Sequence, residues 1–313
     1  MMSSSGAEGT ATEVEAETEE ADVCCANCGI APVDDIKLKI CDGGCDLVKY
    51  CSDRCQENHR EQHEEECKKR KANLRDKELF EQLEESCFGE CPLCFLPMPL
   101  DHEKSTFFSC CCKLVCNGCE IADEISSGDD RCPFCREPAV TGKEENDKRV
   151  MERVKVNDPN ALRKMGTRRI QEGDYETSFE YYTKAAELGD TIAHYQLGCM
   201  YYSGEGVERD EEKGICHWER AAIGGHHSAR HNLACIEERN GNIERSVKHL
   251  IIAANLGCED SMKDLWKHFS AGNITKEELE STLRTHKAAI DATKSAQRDA
   301  AETYYQQLAA SRR

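Results

Sequence analysis

The sequence predicts a multidomain chain: two small cysteine-rich α+β fingers, then an all-α solenoid of helical repeats. Three observations carry this. Of 22 cysteines in 313 residues, all but Cys199, Cys216, Cys235 and Cys258 lie between Cys24 and Cys135. Charge divides near the same place. Residues 1–146 hold 16 Lys and Arg against 33 Asp and Glu, a balance of -17, and residues 147–313 hold 25 against 27, a balance of -2. The second half also repeats itself: Ala185-Ala-Glu-Leu-Gly189, Ala221-Ala-Ile-Gly-Gly225 and Ala253-Ala-Asn-Leu-Gly257 recur at offsets of 36 and 32 residues. Such a period marks a stack of supersecondary units.

Composition excludes several classes. The net charge of -19 argues against a nucleic-acid binder, which shows a basic face. No apolar run approaches the roughly 18–20 residues that span a membrane. Residues 1–23 carry seven acids and no base, so they lack the basic start and apolar core of a secretory signal and read as a disordered acidic segment. The expected location is cytoplasmic or nuclear, with the chain soluble. Stable disulfides are rare in those reducing compartments, so clustered thiols read as metal ligands.

The first cluster, residues 24–67, runs Cys25-Ala-Asn-Cys28, Cys41-Asp-Gly-Gly-Cys45, Tyr50-Cys51-Ser-Asp-Arg-Cys55-Gln56, then His63 and Cys67. Zinc takes four thiolate or imidazole donors at tetrahedral corners, so eight donors make two sites. Gly43 and Gly44 let the longer hook turn sharply, since glycine tolerates positive φ. The polar stretch after Cys51 suits a helix, on which His63 and Cys67 share a face. Cys24 competes with Cys25, though the spacing to Cys28 favours Cys25. His59 could ligate in place of His63 and is otherwise a polar surface residue.

These residues resemble the MYND-type zinc finger. The resemblance implies Cys25, Cys28, Cys51 and Cys55 on one zinc, and Cys41, Cys45, His63 and Cys67 on the other. Three positions depart from the pattern: the second hook has three spacer residues, Arg60 stands where tryptophan is usual, and Glu64 replaces a basic residue. The tryptophan helps such modules grip proline-rich peptides, so its loss bears on peptide binding and not on zinc.

Residues 68–86 form a charged stretch with spaced Leu74, Leu79, Phe80 and Leu83 and read as a helical linker. Lys68-Lys-Arg-Lys71 reads as an ordinary solvated face, the competing reading being a nuclear signal.

The second cluster, in residues 87–140, has Cys91-Pro-Leu-Cys94, the triplet Cys110-Cys111-Cys112, Cys116-Asn-Gly-Cys119 and Cys132-Pro-Phe-Cys135-Arg136. Three hooks and one close pair again supply eight donors for two zincs, about four ions in all. With few apolar residues of its own, this segment is expected to be unfolded without metal. Cys87 fits no hook and is expected to be free or buried.

The order resembles a RING finger. The resemblance implies a cross-brace, with Cys91, Cys94, Cys116 and Cys119 on one zinc, and Cys132, Cys135 and two of the triplet on the other. Which two stays open. Lys113 stands where a ligand histidine is usual, which makes the finger all-cysteine. Active RING fingers hold a ubiquitin-conjugating enzyme through residues that correspond to Leu93, Pro133 and Arg136, with Arg136 steadying the ubiquitin thioester. That is catalysis by positioning, with no catalytic nucleophile on this chain. The competing reading is that Leu93 and Pro133 pack the finger and Arg136 is solvated.

Residues 141–157 read as a linker, and residues 158–291 as repeats. Ala193, Leu197 and Tyr201 share a helical stripe, and glycine after each Ala-Ala pair is a helix C-cap. Gly198 in mid-helix costs about 1 kcal/mol against alanine, which suggests a neighbour too close for a side chain. These features resemble the Sel-like branch of the tetratricopeptide repeats, with three clear units and a degraded fourth from Ser261 to Asp291. The resemblance implies a superhelix whose concave face holds protein partners. Cys199, Cys216, Cys235 and Cys258 read as small apolar core residues. His226, His227 and His231 read as exposed polar residues after a repeat boundary. Residues 292–313 form a C-terminal helix that, with the stretch from Thr282, caps the solenoid.

Two functions follow from these parts. One is a RING-type ubiquitin ligase that recruits a conjugating enzyme and selects protein substrates through its repeats. The alternative is a non-enzymatic zinc-finger adaptor that assembles protein or peptide partners. No nucleic-acid or membrane partner is expected.

Overall fold

The computed structural model describes residues 24–30, 37–81, 85–140 and 142–311. The acidic segment 1–23 lies outside them, as does Leu83. The chain divides into two compact units, residues 1–77 and 78–313.

In the first unit, β1 (Lys39–Ile40) pairs antiparallel with β2 (Lys49–Tyr50), with Lys39 opposite Tyr50. The long helix α1 (Asp53–Leu79) follows and carries His63 and Cys67. The helix is polar throughout. Its sequence of Glu, Gln, Lys and Arg has high helix propensity, and pairs such as Glu64–Lys68 at 2.6 Å brace its surface. Arg70 grips Asp46 through two hydrogen bonds of 2.5 and 2.6 Å, tying the helix to the second hook. The finger and the charged stretch after it thus share one helix.

The last residues of α1, from Glu78, belong to the second unit, where Leu79 and Phe80 are packed. Leu79 is 1% exposed among Trp218, Ala221, Leu233 and Ile236. Phe80 lies 4.7 Å from the His249 ring and 4.9 Å from the Arg245 guanidinium. The next module contains β3 (Ser105–Phe108) and β4 (Lys113–Cys116), an antiparallel hairpin with Ser105 opposite Cys116, followed by α2 (Asn117–Ser127). Then comes α3 (Lys143–Val154).

Four successive helix pairs follow among the described residues: α4 (Pro159–Gln171) with α5 (Tyr175–Glu187), α6 (Thr191–Ser203) with α7 (Glu211–Ile223), α8 (His227–Arg239) with α9 (Ile243–Asn255), and α10 (Glu259–Ser270) with α11 (Lys276–Ala292), the last two both packing on α9. The last helix is α12 (Ala296–Ser311). Each Ala-Ala pair ends a second helix and is buried, and glycine in the left-handed region follows at Gly189, Gly225 and Gly257. The next amide closes the turn onto the first alanine: Asp190 onto Ala185 at 3.0 Å, His226 onto Ala221 at 2.9 Å and Cys258 onto Ala253 at 3.1 Å. Gly198 meets the expected crowding, because a Cβ there would overlap the Trp218 indole.

Several expectations need correction. Cys258 is buried and Cys199 half-buried, but Cys216 and Cys235 are exposed, so only part of that group is core. His226 is 4% exposed rather than on the surface, and its Nδ1 accepts from the Ala229 amide as the N-cap of α8. Burial, then the charges of His227, His102 and Arg163, pushes its pKa down to about 3. His227 and His231 are half-buried. The C-terminal helix does not extend the solenoid cap: α11 completes the fourth pair, and α12 packs on α2 of the second finger.

Candidate metal centres

Among the described residues four clusters of donor atoms stand out, in each of which all the atoms lie within 4.8 Å of one another. They are Cys25, Cys28, Cys51 and Cys55; Cys41, Cys45, His63 and Cys67; Cys91, Cys94, Cys116 and Cys119; and Cys110, Cys111, Cys132 and Cys135. Both fingers are interleaved, with alternate pairs sharing a site. Zinc–sulfur bonds of about 2.3 Å place tetrahedral sulfurs about 3.8 Å apart. The sulfurs lie at 3.5 Å for Cys28 and Cys51, 3.7 Å for Cys41 and Cys67, and 3.8 Å for both Cys94–Cys116 and Cys111–Cys132. The donor sets fit zinc, at about four sites.

Local structure explains each placement. The strand pair β1–β2 sets the second hook against Tyr50, whose ring is 1% exposed. Burial, then the charges of Cys41, Cys45, Cys67 and Cys25, pushes the Tyr50 phenol up to about 12. Gly44 has φ of +78°, as the hook's turn requires, but Gly43 serves a different need. A Cβ at position 43 would come 2.5 Å from Cys67 Sγ, and the Gly43 amide donates to Cys41 Sγ at 3.4 Å. His63 is 4% exposed, with Nε2 3.0 Å from Cys45 Sγ. His59 stays out of the cluster. Its Nδ1 pairs with the Tyr50 hydroxyl at 3.0 Å, and its ring stacks on His63 with centroids 5.8 Å apart. It is therefore half-buried against Tyr50 and His63 rather than a free surface residue. Cys24 is exposed and outside the cluster.

A cleft of about 350 Å³ beside the second site is lined by Gln56, Arg60, Glu64, Lys68 and Lys71. With Arg60 in it, the cleft is charged where an aromatic side chain would favour proline.

In the second finger two hooks share one construction. Cys91 N–H donates to Leu96 O at 3.0 Å and Phe95 N–H to Cys91 O at 2.9 Å; Cys132 to Glu137 and Arg136 to Cys132 repeat this at 2.8 and 2.9 Å. Phe95 and Arg136, each just after a hook, both have positive φ, at 57° and 62°. Cys116 is the N-cap of α2 and Cys119 lies one turn on, so the start of this helix holds both donors of the pair.

The hairpin turn resolves the cysteine triplet. Cys110 and Cys111 converge with Cys132 and Cys135, whereas Cys112 takes φ of 53° and turns away. Its thiol is 2% exposed among Val150, Ala161 and Met165, and donates weakly to Ser109 O at 3.9 Å. Burial, and the negative charge of Cys132, push Cys111 up to about 12, so four thiolates coexist there only beside a cation. Cys87 is half-buried, and burial pushes it up to about 12 as well.

The three positions singled out for contact with a conjugating enzyme lie apart in character. Leu93 packs on the core cluster of Cys91, Met98 and Val115. Pro133 is half-buried in the last hook. Arg136 Nη1 donates to both carboxylate oxygens of Asp123, at 2.9 and 2.8 Å, and Nη2 reaches Asp129 at 3.4 Å. The sequence reading missed this ion pairing, because Asp123 and Asp129 belong to no cysteine motif.

Two zinc modules followed along the chain by a helical solenoid define a zinc-finger protein with a protein-interaction repeat domain. Residues 25–67 match the MYND finger family, and residues 159–190, 191–226 and 229–258 each match the Sel1 repeat. Over 51 residues the chain is 41% identical to DAP3-binding cell death enhancer 1 of Mus musculus and 39% identical to the Rattus norvegicus protein of that name. Each match covers 16% of this chain and 10% of the relative, so the chain spans about a tenth of the length of these curated relatives. A Sel1 repeat protein from Oxalobacter formigenes, of known structure, is 26% identical with a TM-score of 0.41, covering 46% of this chain and 64% of that one. The protective antigen c5321 of uropathogenic Escherichia coli is 24% identical with a TM-score of 0.40, covering 45% and 33%. No helix among the described residues is long and apolar enough to cross a membrane.

Proposed function

We propose that this protein is a zinc-finger scaffold that gathers protein partners and does no chemistry at its metals. One observation carries the reading: every cluster brings together four protein donors. Catalytic zinc keeps a position open for water or substrate, and a site filled by four side chains is structural. The Sel1 repeats supply the binding platform, and just beyond the last matched repeat Trp266 on α10 is nearly half exposed.

The ligase reading is the competitor, and the surroundings of its key residues weigh against it. Arg136, 45% exposed, is paired with Asp123 and Asp129, and Leu93 is partly buried against the finger's core. The discriminating experiment incubates zinc-loaded protein with ubiquitin, activating enzyme and a panel of conjugating enzymes, beside Arg136→Ala and Leu93→Ala. The expected result is no ubiquitin chains in any reaction. Chains that form with the native protein and vanish in both variants, with zinc retained, would establish a ligase. The scaffold reading further expects Trp266→Ala to weaken a co-purifying partner while leaving metal content and melting unchanged.

A further inference from the structure

The Cys91–Cys94–Cys116–Cys119 site has a cation beside it from the far end of the chain. Arg298, in the first turn of α12, donates through Nη2 to Cys94 Sγ at 3.5 Å and to Leu96 O at 3.3 Å. Its Nη1 donates to Pro97 O and to Thr293 O, both at 2.7 Å. The guanidinium therefore spans the zinc hook and the start of its own helix. The approach is close by construction. A Cβ on Gly118, between Cys116 and Cys119, would lie 2.8 Å from Arg298 Cγ and 3.0 Å from its Cα. Only glycine there admits the helix. Two outlying contacts complete the seat: Lys104 to Glu302 at 3.3 Å, and the Tyr305 hydroxyl to Glu120 at 3.3 Å.

Charge gives the contact its meaning. Four thiolates around one Zn²⁺ leave a net charge of about -2 by simple counting. Hydrogen bonds to a metal-bound thiolate are outer-shell contacts, and removing such partners costs metal sites about 10–100-fold in affinity.

We propose that Arg298 is the outer-shell partner of this zinc–thiolate centre, and that the centre's negative charge holds α12 on the finger. The inference rests on the zinc reading of the cluster. Linkage makes the effect reciprocal: metal occupancy favours docked α12, and docked Arg298 retains the metal.

The test uses the full-length, zinc-loaded protein and follows zinc transfer to a chromogenic chelator. The variants are Arg298→Gln, Arg298→Lys, and a double variant, Lys104→Ala with Tyr305→Phe, that loosens the outlying seat and leaves Arg298 in place. Arg298→Gln is expected to release one zinc per chain at least 10-fold faster. Arg298→Lys should restore part of the retention, and the double variant should release zinc as the native protein does. Native release rates in Arg298→Gln, or equal lability in the double variant, would make Arg298 a packing residue and overturn the proposal. Hydrogen exchange on the native chain gives an independent reading should Arg298→Gln fold poorly. As chelator unprotects residues 91–119, the amides of 296–311 should lose protection with them, and persistent protection overturns the idea. A starting content well below about four zincs would instead sink the zinc reading itself.

Discussion

Cys112 and Gly198 show how single residues are read by their neighbours. Cys112 is the third of three consecutive cysteines, chemically identical to the other two, and the hairpin turn alone removes it from the metal. Cys112→Ala is expected to keep about four zincs per chain and Cys111→Ala to lose one, as read by metal analysis of the purified proteins. Gly198→Ala tests a sign. Helix propensity by itself would stabilise α6 by about 1 kcal/mol. Overlap with Trp218 should instead destabilise by about 1–3 kcal/mol. A higher melting temperature for this variant would contradict the packing described. The sequence disclosed that Gly198 was crowded but not by what. Trp218 lies 20 residues on, and only the pairing of α6 with α7 brings it near. His59 was equally opaque, since its partner Tyr50 is a strand residue whose hydroxyl direction no spacing encodes.

At the level of elements, the repeat boundaries do most of the structural work. Asp190 is the N-cap of α6, accepting from the Ala193 amide at 2.7 Å, and its other oxygen accepts from Arg163 Nε at 3.0 Å. The two side chains are 9% and 16% exposed. A cap alone is worth about 1 kcal/mol, and stranding a mostly buried arginine raises the cost of Asp190→Ala to about 3 kcal/mol. Asp190→Asn, which keeps an acceptor for the cap, should cost less. Urea unfolding of both variants checks the order. The helix ends were legible in the sequence, because Ala-Ala-x-x-Gly is local chemistry, whereas the Asp190 cap and its arginine partner emerged only from the structure. Nor was the destination of α12 legible. Its alanine and charge content fits a cap on the solenoid equally well, and only the glycine at position 118 admits it onto α2.

Across the whole molecule, metal and protons are expected to act on different parts. Removing zinc should unprotect residues 37–67 and 91–135, whose core clusters are built largely of the ligand cysteines, while α5–α9 keep slow hydrogen exchange. Acid should act on the repeats. Burial is the leading cause that pushes His226 and His249 down to about 3 and His217 and His227 to about 4. Free histidine titrates near 6.5, so the unfolded chain binds more protons than the folded one below that pH. Stability from these neutral imidazoles is full above about pH 6.5 and is lost as pH falls toward 3–4. Each histidine adds up to about 1.4 kcal/mol per pH unit in that window. Exchange rates of α7–α9 amides at pH 7.5, 6 and 5 would show it, and rates independent of pH after correction for intrinsic exchange would refute it.

By itself the sequence determined the metal, the repeats and every donor outside the cysteine triplet. Cys-x2-Cys hooks, Ala-Ala-x-x-Gly ends and a period of 32–36 residues are short-range patterns, whose chemistry is set by residue type and spacing. The tertiary structure decided which cysteine of the triplet faces metal, that Arg136 is paired with Asp123, and that Arg298 reaches Cys94 from about 200 residues away. The physical reason is common to all three. Hydrogen bonds and ion pairs act over a few ångströms, and the partners that satisfy them are chosen by the packing of distant segments, which no local pattern records.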